Sequence, residues 1–345
     1  MEEKSPEVIE AEMNFYEAID SLHLSPSSLK LLIEAPKAWH KKYVLKQEEI
    51  KSALHFDEGS LLHAMILEPD TLDDNFINMG VNAPGDTAQA IMKSLLSLGR
   101  SAVELEEYSE EILEYLKEVN LYQSFVDDKR NNKEGKMLTG DEKRLNKVIN
   151  ETSKEYFKLL CEARNKTIVD AISWDKCLRK KEAVLSNEKA AFLLQPTHKA
   201  LEEFATELEL RHAPTFLKYK IKGILDAIKV DFEEKKIYVT DFKTTGGSLE
   251  VFKESFEKYG YWLQASIYYW LAESLKRNAA AKFEIEVNFV VIDRMDHVYV
   301  FPVSEETLKI SIERAKEMIN TKIDYHIQNK DFNLPYEFAN NLVSL

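Results

Sequence analysis

Cysteine is scarce in this chain, with two among 345 residues, Cys161 and Cys177. Two thiols cannot build a four-thiolate zinc or iron–sulfur site, and their spacing matches no redox motif. Both read as buried or idle thiols of a reducing compartment. Long apolar runs are missing too. No stretch approaches the roughly 18 uninterrupted apolar residues of a membrane-spanning helix. The opening MEEKSPEVIEAEM is acidic and lacks the apolar segment of a secretory signal, so the expectation is a soluble, cytoplasmic protein with no membrane partner. Positive charge is also short. The formal net charge is −14, and a uniformly acidic surface would argue against nucleic acid as a partner. Glycine numbers ten, and four of these, Gly223, Gly246, Gly247 and Gly260, fall within one short region. Turn-permissive backbone is concentrated there, which marks a place where tight geometry matters.

The chain is long enough for roughly two units and for a core without disulfide or metal staples. Hydrophobic residues make up 44% and aromatics 10%, which suits a globular protein. Residues 1–24 read as an acidic lead-in. Ser25-Pro26-Ser27-Ser28 reads as a helix start with proline near the first helical position, and the helix that follows breaks near Pro36. Residues 57–68 predict a helix ended by Pro69, with Gly59, His63 and Leu67 on one face. Residues 86–195 read as almost wholly helical, interrupted by a charged loop, VDDKRNNKEGKMLTG.

The texture changes after about residue 200. FLKYKIKGILDAIKV and KKIYVTDFK predict two strands joined by a turn over Asp231 to Lys236. LEVFKESFEKYG and YWLQASIYYWLAESLKR predict helices. FEIEVNFVVID and HVYVFPV predict a second hairpin, turning through Arg294 to Asp296, and a long helix follows from SEETLKISIERAKEM onward. Strand, strand, helix, strand, strand, helix predicts a mixed sheet with helices packed on it. The expected segments are 1–24, an N-terminal helical part over 25–80, a helical insertion over 81–199, and a core over 200–345.

The residues that carry chemistry cluster in that core. Asp226 interrupts an apolar run, where an unpartnered carboxylate would be costly. A hairpin can bring it beside Asp241, fourteen intervening residues away. Two converging carboxylates make a hard oxygen site suited to Mg²⁺ or Mn²⁺. Asp241 and Lys243 are two apart on a strand and so face one way. A lysine there can orient or deprotonate a water, or stabilise charge developing on a phosphorus centre. Read alone, the pair is as readily a buried aspartate beside a surface ion pair. Glu207 and Glu209 precede it in TELEL with strand-like parity, Gln264 and Tyr268 follow it one helical turn apart, and His63 lies far upstream.

The ordered set S-P-S-S-L…P, G-x-x-x-H-x-x-x-L-E-P, E…G-x-x-D…D-x-K-T-T, then Y-G-Y-x-x-Q-x-x-x-Y resembles the PD-(D/E)XK nuclease superfamily. Within it the chain is most similar to the RecE-like (exodeoxyribonuclease VIII) phage exonucleases. The matching residues are Ser25 to Leu29, Pro36, Gly59, His63, Leu67 to Pro69, Gly223, Asp226, Asp241, Lys243 to Thr245, Tyr259 to Tyr261, Gln264 and Tyr268. The resemblance implies an α/β, restriction-endonuclease-like mixed sheet flanked by helices, with a large helical insertion. It implies a Mg²⁺-dependent deoxyribonuclease acting on double-stranded DNA ends. Asp226, Asp241, the Phe242 carbonyl and His63 would hold the metal. Lys243 would position the attacking water, and Gln264 and Tyr268 would line the site or touch DNA. By family spacing Glu207 is the better upstream acid, with Glu209 the alternative. A single-strand-annealing recombinase partner and a ring-shaped homo-oligomer would follow from the same resemblance. Other readings are an AddB-type single-strand nuclease with an iron–sulfur cluster, which two cysteines disfavour, and a non-catalytic DNA-end binder.

The charge objection weakens on closer reading. Residues 1–20 and 104–118 each carry seven acids and one lysine, so they hold most of the net negative charge. Residues 36–52, 129–147 and 176–189 are net basic. Segregation of this size allows a basic channel on an acidic body.

Overall fold

A computed structural model describes residues 5–47, 58–98, 103–123, 139–163, 166–197, 201–276 and 283–343. The chain forms two compact units, Met1–Pro69 with Cys177–Leu345, and Asp70–Lys176. Most of the charged loop expected around 126–140 lies outside the described residues.

The first unit is built on a six-stranded mixed sheet: β1 (His23–Leu24), β4 (Glu202–His212), β5 (Lys220–Asp231), β6 (Lys236–Thr244), β7 (Glu284–Ile292) and β8 (Val298–Pro302). The order is β1-β5-β6-β7-β8, with β4 antiparallel on the other edge of β5. The β5–β6 hairpin turns where Asp231 and Glu233 to Lys236 predict it. Asp231 is buried and its Oδ1 accepts the amides of Glu233 and Glu234, a side-chain turn that sets the register. The β6–β7 pair is parallel, with a helical crossover, and β7–β8 is the expected second hairpin.

One detail of this sheet creates the site. β5 pairs with β6 only from Ala227↔Thr240 to Asp231↔Lys236. At its other end, Lys220 and Ile221 pair with β1. Between them, residues 222–226 of β5 have no strand partner on that edge among the described residues, and the two strands part where Asp226 and Asp241 would next face each other. β4 and β1 lie outside the strand, strand, helix order expected from residue 200 onward. β4 carries three of its eleven positions as exposed side chains only and is an edge strand, which blurs its alternation.

The helix Tyr261–Leu275 packs across this sheet, and the helix Glu305–Met318 packs against it. Ile267, Leu271, Val287, Phe289 and Val291 belong to their shared core. Gly223 lets the first helix come close. A Cβ at that position would sit 2.9 Å from Leu271 Cδ1 and 3.2 Å from Tyr268 Cε1. At the N-terminal side, Ser25 caps the helix Pro26–Glu34 by accepting the Ser28 amide, and the Ser28 hydroxyl accepts from buried Trp39 Nε1 at 2.9 Å. The S-P-S-S motif therefore starts a helix and anchors a tryptophan. The helix Glu58–Leu67 buries Leu61, Leu62 and Ala64 to Leu67.

The described residues of 86–195 are mostly helical, as expected, and the second unit departs from that reading at one short strand. Its helices enclose a core that includes Met92, Tyr108, Ile112, Leu116 and Phe157. It also contains a two-stranded parallel sheet, β2 (Phe76–Met79) with β3 (Thr167–Asp170). Four-residue strands are too short to show a period of two against helical neighbours, and their pairing joins segments far apart in sequence. Among the described residues no helix is long and apolar enough to cross a membrane.

Candidate active site

Three adjacent strands and two helices deliver the candidate residues. Glu207 on β4, Asp226 on β5 and Asp241 on β6 lie in a row across the sheet, at the point where β5 and β6 part. Glu207 lies between the Thr206↔Ala227 and Leu208↔Leu225 pairs, in the left-handed region at φ 49°. A side chain rarely takes this conformation inside a strand, and it costs of order 1–3 kcal/mol. It also breaks the alternation that would give Glu207 and Glu209 a common direction. Glu207 is turned to His63, with Oε1 3.5 Å from Nε2. Glu209 instead pairs with Arg211 at 2.7 Å, among exposed groups. The two acids of TELEL thus have different partners, and the left-handed residue is Glu207 itself.

His63 comes from the helix Glu58–Leu67. Its Nε2 also lies 3.3 Å from Asp226 Oδ2. The same Asp226 oxygen accepts the Phe242 amide at 2.8 Å, a bond across the parted strands. Asp241 is fully buried, and its Oδ1 accepts from Gln264 Nε2 at 2.6 Å. Lys243 Nζ faces Asp241 Oδ2 at 2.7 Å. Gln264 Nε2 also donates to the Tyr268 hydroxyl at 2.9 Å, and that hydroxyl donates to the Ile224 carbonyl at 2.6 Å. Ile224 pairs with Glu209 of β4 and lies in the stretch of β5 whose other edge has no described strand partner. Tyr268 thus supplies the donor that a neighbouring strand would otherwise provide. The structure brings His63, Glu207, Asp226, Asp241, Lys243, Gln264 and Tyr268 into one connected set, with Phe242 joined through its amide.

Glu68 belongs beside them. Ligand atoms of His63, Glu68 and Glu207 lie within 4.8 Å of one another. In the sequence Glu68 stands only as part of the L-E-P match. It follows the end of the His63 helix, off the helical spacing that would place it near His63, so no periodicity points to it.

The electrostatics are those of a crowded anionic site. Burial raises the Glu207 carboxyl to about 7, with Asp226 and Glu68 adding to the rise against His63. Burial, and then Asp226, also push Asp241 well above the ordinary carboxylate range. Burial alone would lower His63, but Asp226, Glu207 and Asp241 outweigh it and raise its pKa. For Lys243, too, burial pulls downward and Asp241 and Asp226 outweigh it, so the group is held as an ammonium. Glu207 Oε1 is shielded from solvent and accepts no hydrogen bond among the described residues, and Asp241 Oδ2, equally shielded, faces the Lys243 ammonium. Buried carboxylate oxygens like these, beside an imidazole, form a donor set that fits a hard divalent cation.

A protein from Eubacterium rectale, provisionally named an exonuclease, aligns in structure over 96% of this chain and 88% of its own, at 10% identity and TM-score 0.42. A second solved structure, SSO0001, aligns over 48% of this chain and 67% of its own, at 18% identity and TM-score 0.23. At those scores neither likeness bears on the fold or the chemistry. Among proteins of curated function, none matches the chain. A family-level profile does match, over residues 136–331, which spans more than half the chain and includes Asp226, Asp241, Lys243, Gln264 and Tyr268: this chain belongs to the PD-(D/E)XK nuclease superfamily.

Proposed function

We propose that this protein is a Mg²⁺-dependent exonuclease that hydrolyses phosphodiester bonds at duplex DNA ends, with Mn²⁺ able to replace Mg²⁺. The observation that carries this reading is the meeting of Asp226, Asp241 and Lys243 where β5 and β6 part. Asp226, Asp241, His63 and the Phe242 carbonyl would hold the cation, and Glu207 would be the upstream acid. When bound, the cation supplies Lewis acidity at the scissile phosphate and a water of lowered pKa. Gln264 holds Asp241 by one oxygen, and the other faces Lys243. Tyr268 ties Gln264 to the β5 backbone at Ile224. Lys243, kept as an ammonium, orients the attacking water and stabilises the charge that develops on the phosphorus oxygens. As an ammonium it is suited to electrostatic work and not to taking the water's proton. Contacts to the DNA backbone would give weak sequence preference. A role in phage-type recombination, beside a single-strand-annealing recombinase and in a ring-shaped homo-oligomer, is the biological setting this reading favours.

End-labelled linear duplex incubated with Mg²⁺ or with EDTA tests the proposal. Wild type should degrade it only with Mg²⁺. Asp226→Ala and Lys243→Ala should each lose about 100-fold or more of the activity while remaining folded. Activity near that of wild type in both variants sinks the site. Closed circular DNA should resist, and its nicking would make the enzyme an endonuclease. Binding of ends without hydrolysis would leave a DNA-end binder.

A further inference from the structure

The Y-G-Y motif has no part in the site as described, yet it adjoins it. Gly260, at φ 72°, turns the chain between the helices Phe252–Lys258 and Tyr261–Leu275. This left-handed residue places a tyrosine on each side of the turn. Tyr261 stacks on Phe252 and Phe289, with centroids 5.7 and 5.6 Å away. Lys243 Nζ stands 5.2 Å from the Tyr261 ring. The Tyr259 ring is 5.9 Å from Tyr261 and 48% exposed. Lys30 Nζ lies 5.6 Å and Lys258 Nζ 5.5 Å from the Tyr259 centroid. Lys30 also donates to the Tyr259 carbonyl at 3.0 Å, which ties the helix Pro26–Glu34 to this turn. The nearby carboxylates are Glu34, 3.8 Å from Lys30, and Glu257, which Arg314 takes at 2.7 Å.

A track of two neighbouring rings with ammonium groups at both ends therefore runs outward from Lys243. Resting on the nuclease reading, we infer that Tyr259, flanked by Lys30 and Lys258, is a subsite for an unpaired nucleotide next to the scissile position. An exposed ring offers a base a stacking face, and ammonium groups on flexible stems can swing to the adjoining phosphates. The distance from Lys243 is within reach of the next few nucleotides of a strand. A base inside a duplex has both faces stacked already. The subsite therefore selects a frayed or single-stranded end, and the enzyme would hold one strand peeled from its partner.

The test measures binding of a fluorescein-labelled 12-nucleotide oligothymidylate, and of an abasic strand of the same length, by anisotropy in EDTA with the full chain. Tyr259→Ala should weaken oligothymidylate binding roughly 5- to 100-fold. Tyr259→Phe should bind as wild type does, and the abasic strand should not distinguish wild type from Tyr259→Ala. Equal binding of oligothymidylate by wild type and Tyr259→Ala overturns the subsite. Equal losses on both strands also overturn it, since the effect would then not come from stacking. Mg²⁺-dependent cleavage of linear duplex by wild type is measured alongside. Cleavage with no Tyr259 effect sinks the subsite alone, whereas neither cleavage nor binding sinks the nuclease reading as well.

Discussion

Asp293 shows how a single carboxylate is controlled in this fold. It is buried at the β7–β8 turn, which by itself would raise its pKa. The amides of Met295 and His297, at 2.8 and 3.0 Å, and the His297 ring outweigh burial and lower it. A carboxylate depressed in the folded state adds stability above its unfolded pKa of about 3.9, and that stability is lost as pH falls through the lower folded value. Asp293→Asn should therefore be less stable than wild type at pH 7, by about 1 kcal/mol, and the difference should close as the acid limb is reached. Chemical denaturation over a pH series reads this directly. A constant gap at all pH values would mean that shape and not charge is responsible. The same scale shows what the sequence could not display. Glu207 and Glu209 are equivalent by parity. Only the left-handed backbone at Glu207 separates a residue 3.5 Å from His63 from one that pairs with Arg211.

At the scale of elements, the site depends on how closely the helix Tyr261–Leu275 lies on the sheet. Gly223 sets that distance, because an added Cβ would meet Leu271 and Tyr268. Gly223→Ala should cost about 1–3 kcal/mol of stability through overpacking. It should also lower activity by more than the lost folded fraction, since Gln264 and Tyr268 ride on that helix. Thermal melts and specific activity at a temperature where the variant stays folded separate the two effects. The helix itself, the β5–β6 hairpin and the Ser25 cap are legible in the sequence because each is local. Turn residues, capping residues and periodicity all lie within one element. The strands β1, β2 and β3 are not legible. They are two to four residues long, and each is made a strand by a distant partner.

For the whole molecule, the decisive quantity is charge and what answers it. The net −14 first argues against DNA, but it says nothing about where the charges lie. At the site the argument reverses, since Glu207, Asp226 and Asp241 form a concentrated negative centre beside one ammonium. A divalent cation that binds only the folded protein must stabilise it, by about 2.7 kcal/mol at a hundredfold excess over Kd. Mg²⁺ or Mn²⁺ should therefore raise the Tm of wild type, whereas Asp241→Asn should show little or no shift. An equal rise in that variant would place the cation elsewhere.

That Asp226 and Asp241 can come side by side was legible in the sequence alone. A tight turn anchored on Asp231 leaves an antiparallel hairpin one register, and counting outward from it sets the two aspartates opposite each other. Lys243 then shares the face of Asp241 by strand parity. The tertiary structure decided the rest. It parted the strands at Asp226, bonded Gln264 to Asp241, brought His63 within reach of Asp226, and set Glu207, not Glu209, beside His63. The physical reason is range. A hairpin is closed by neighbours in sequence, but these four outcomes each require an element packed from elsewhere in the chain, or a backbone kink that only such packing can hold.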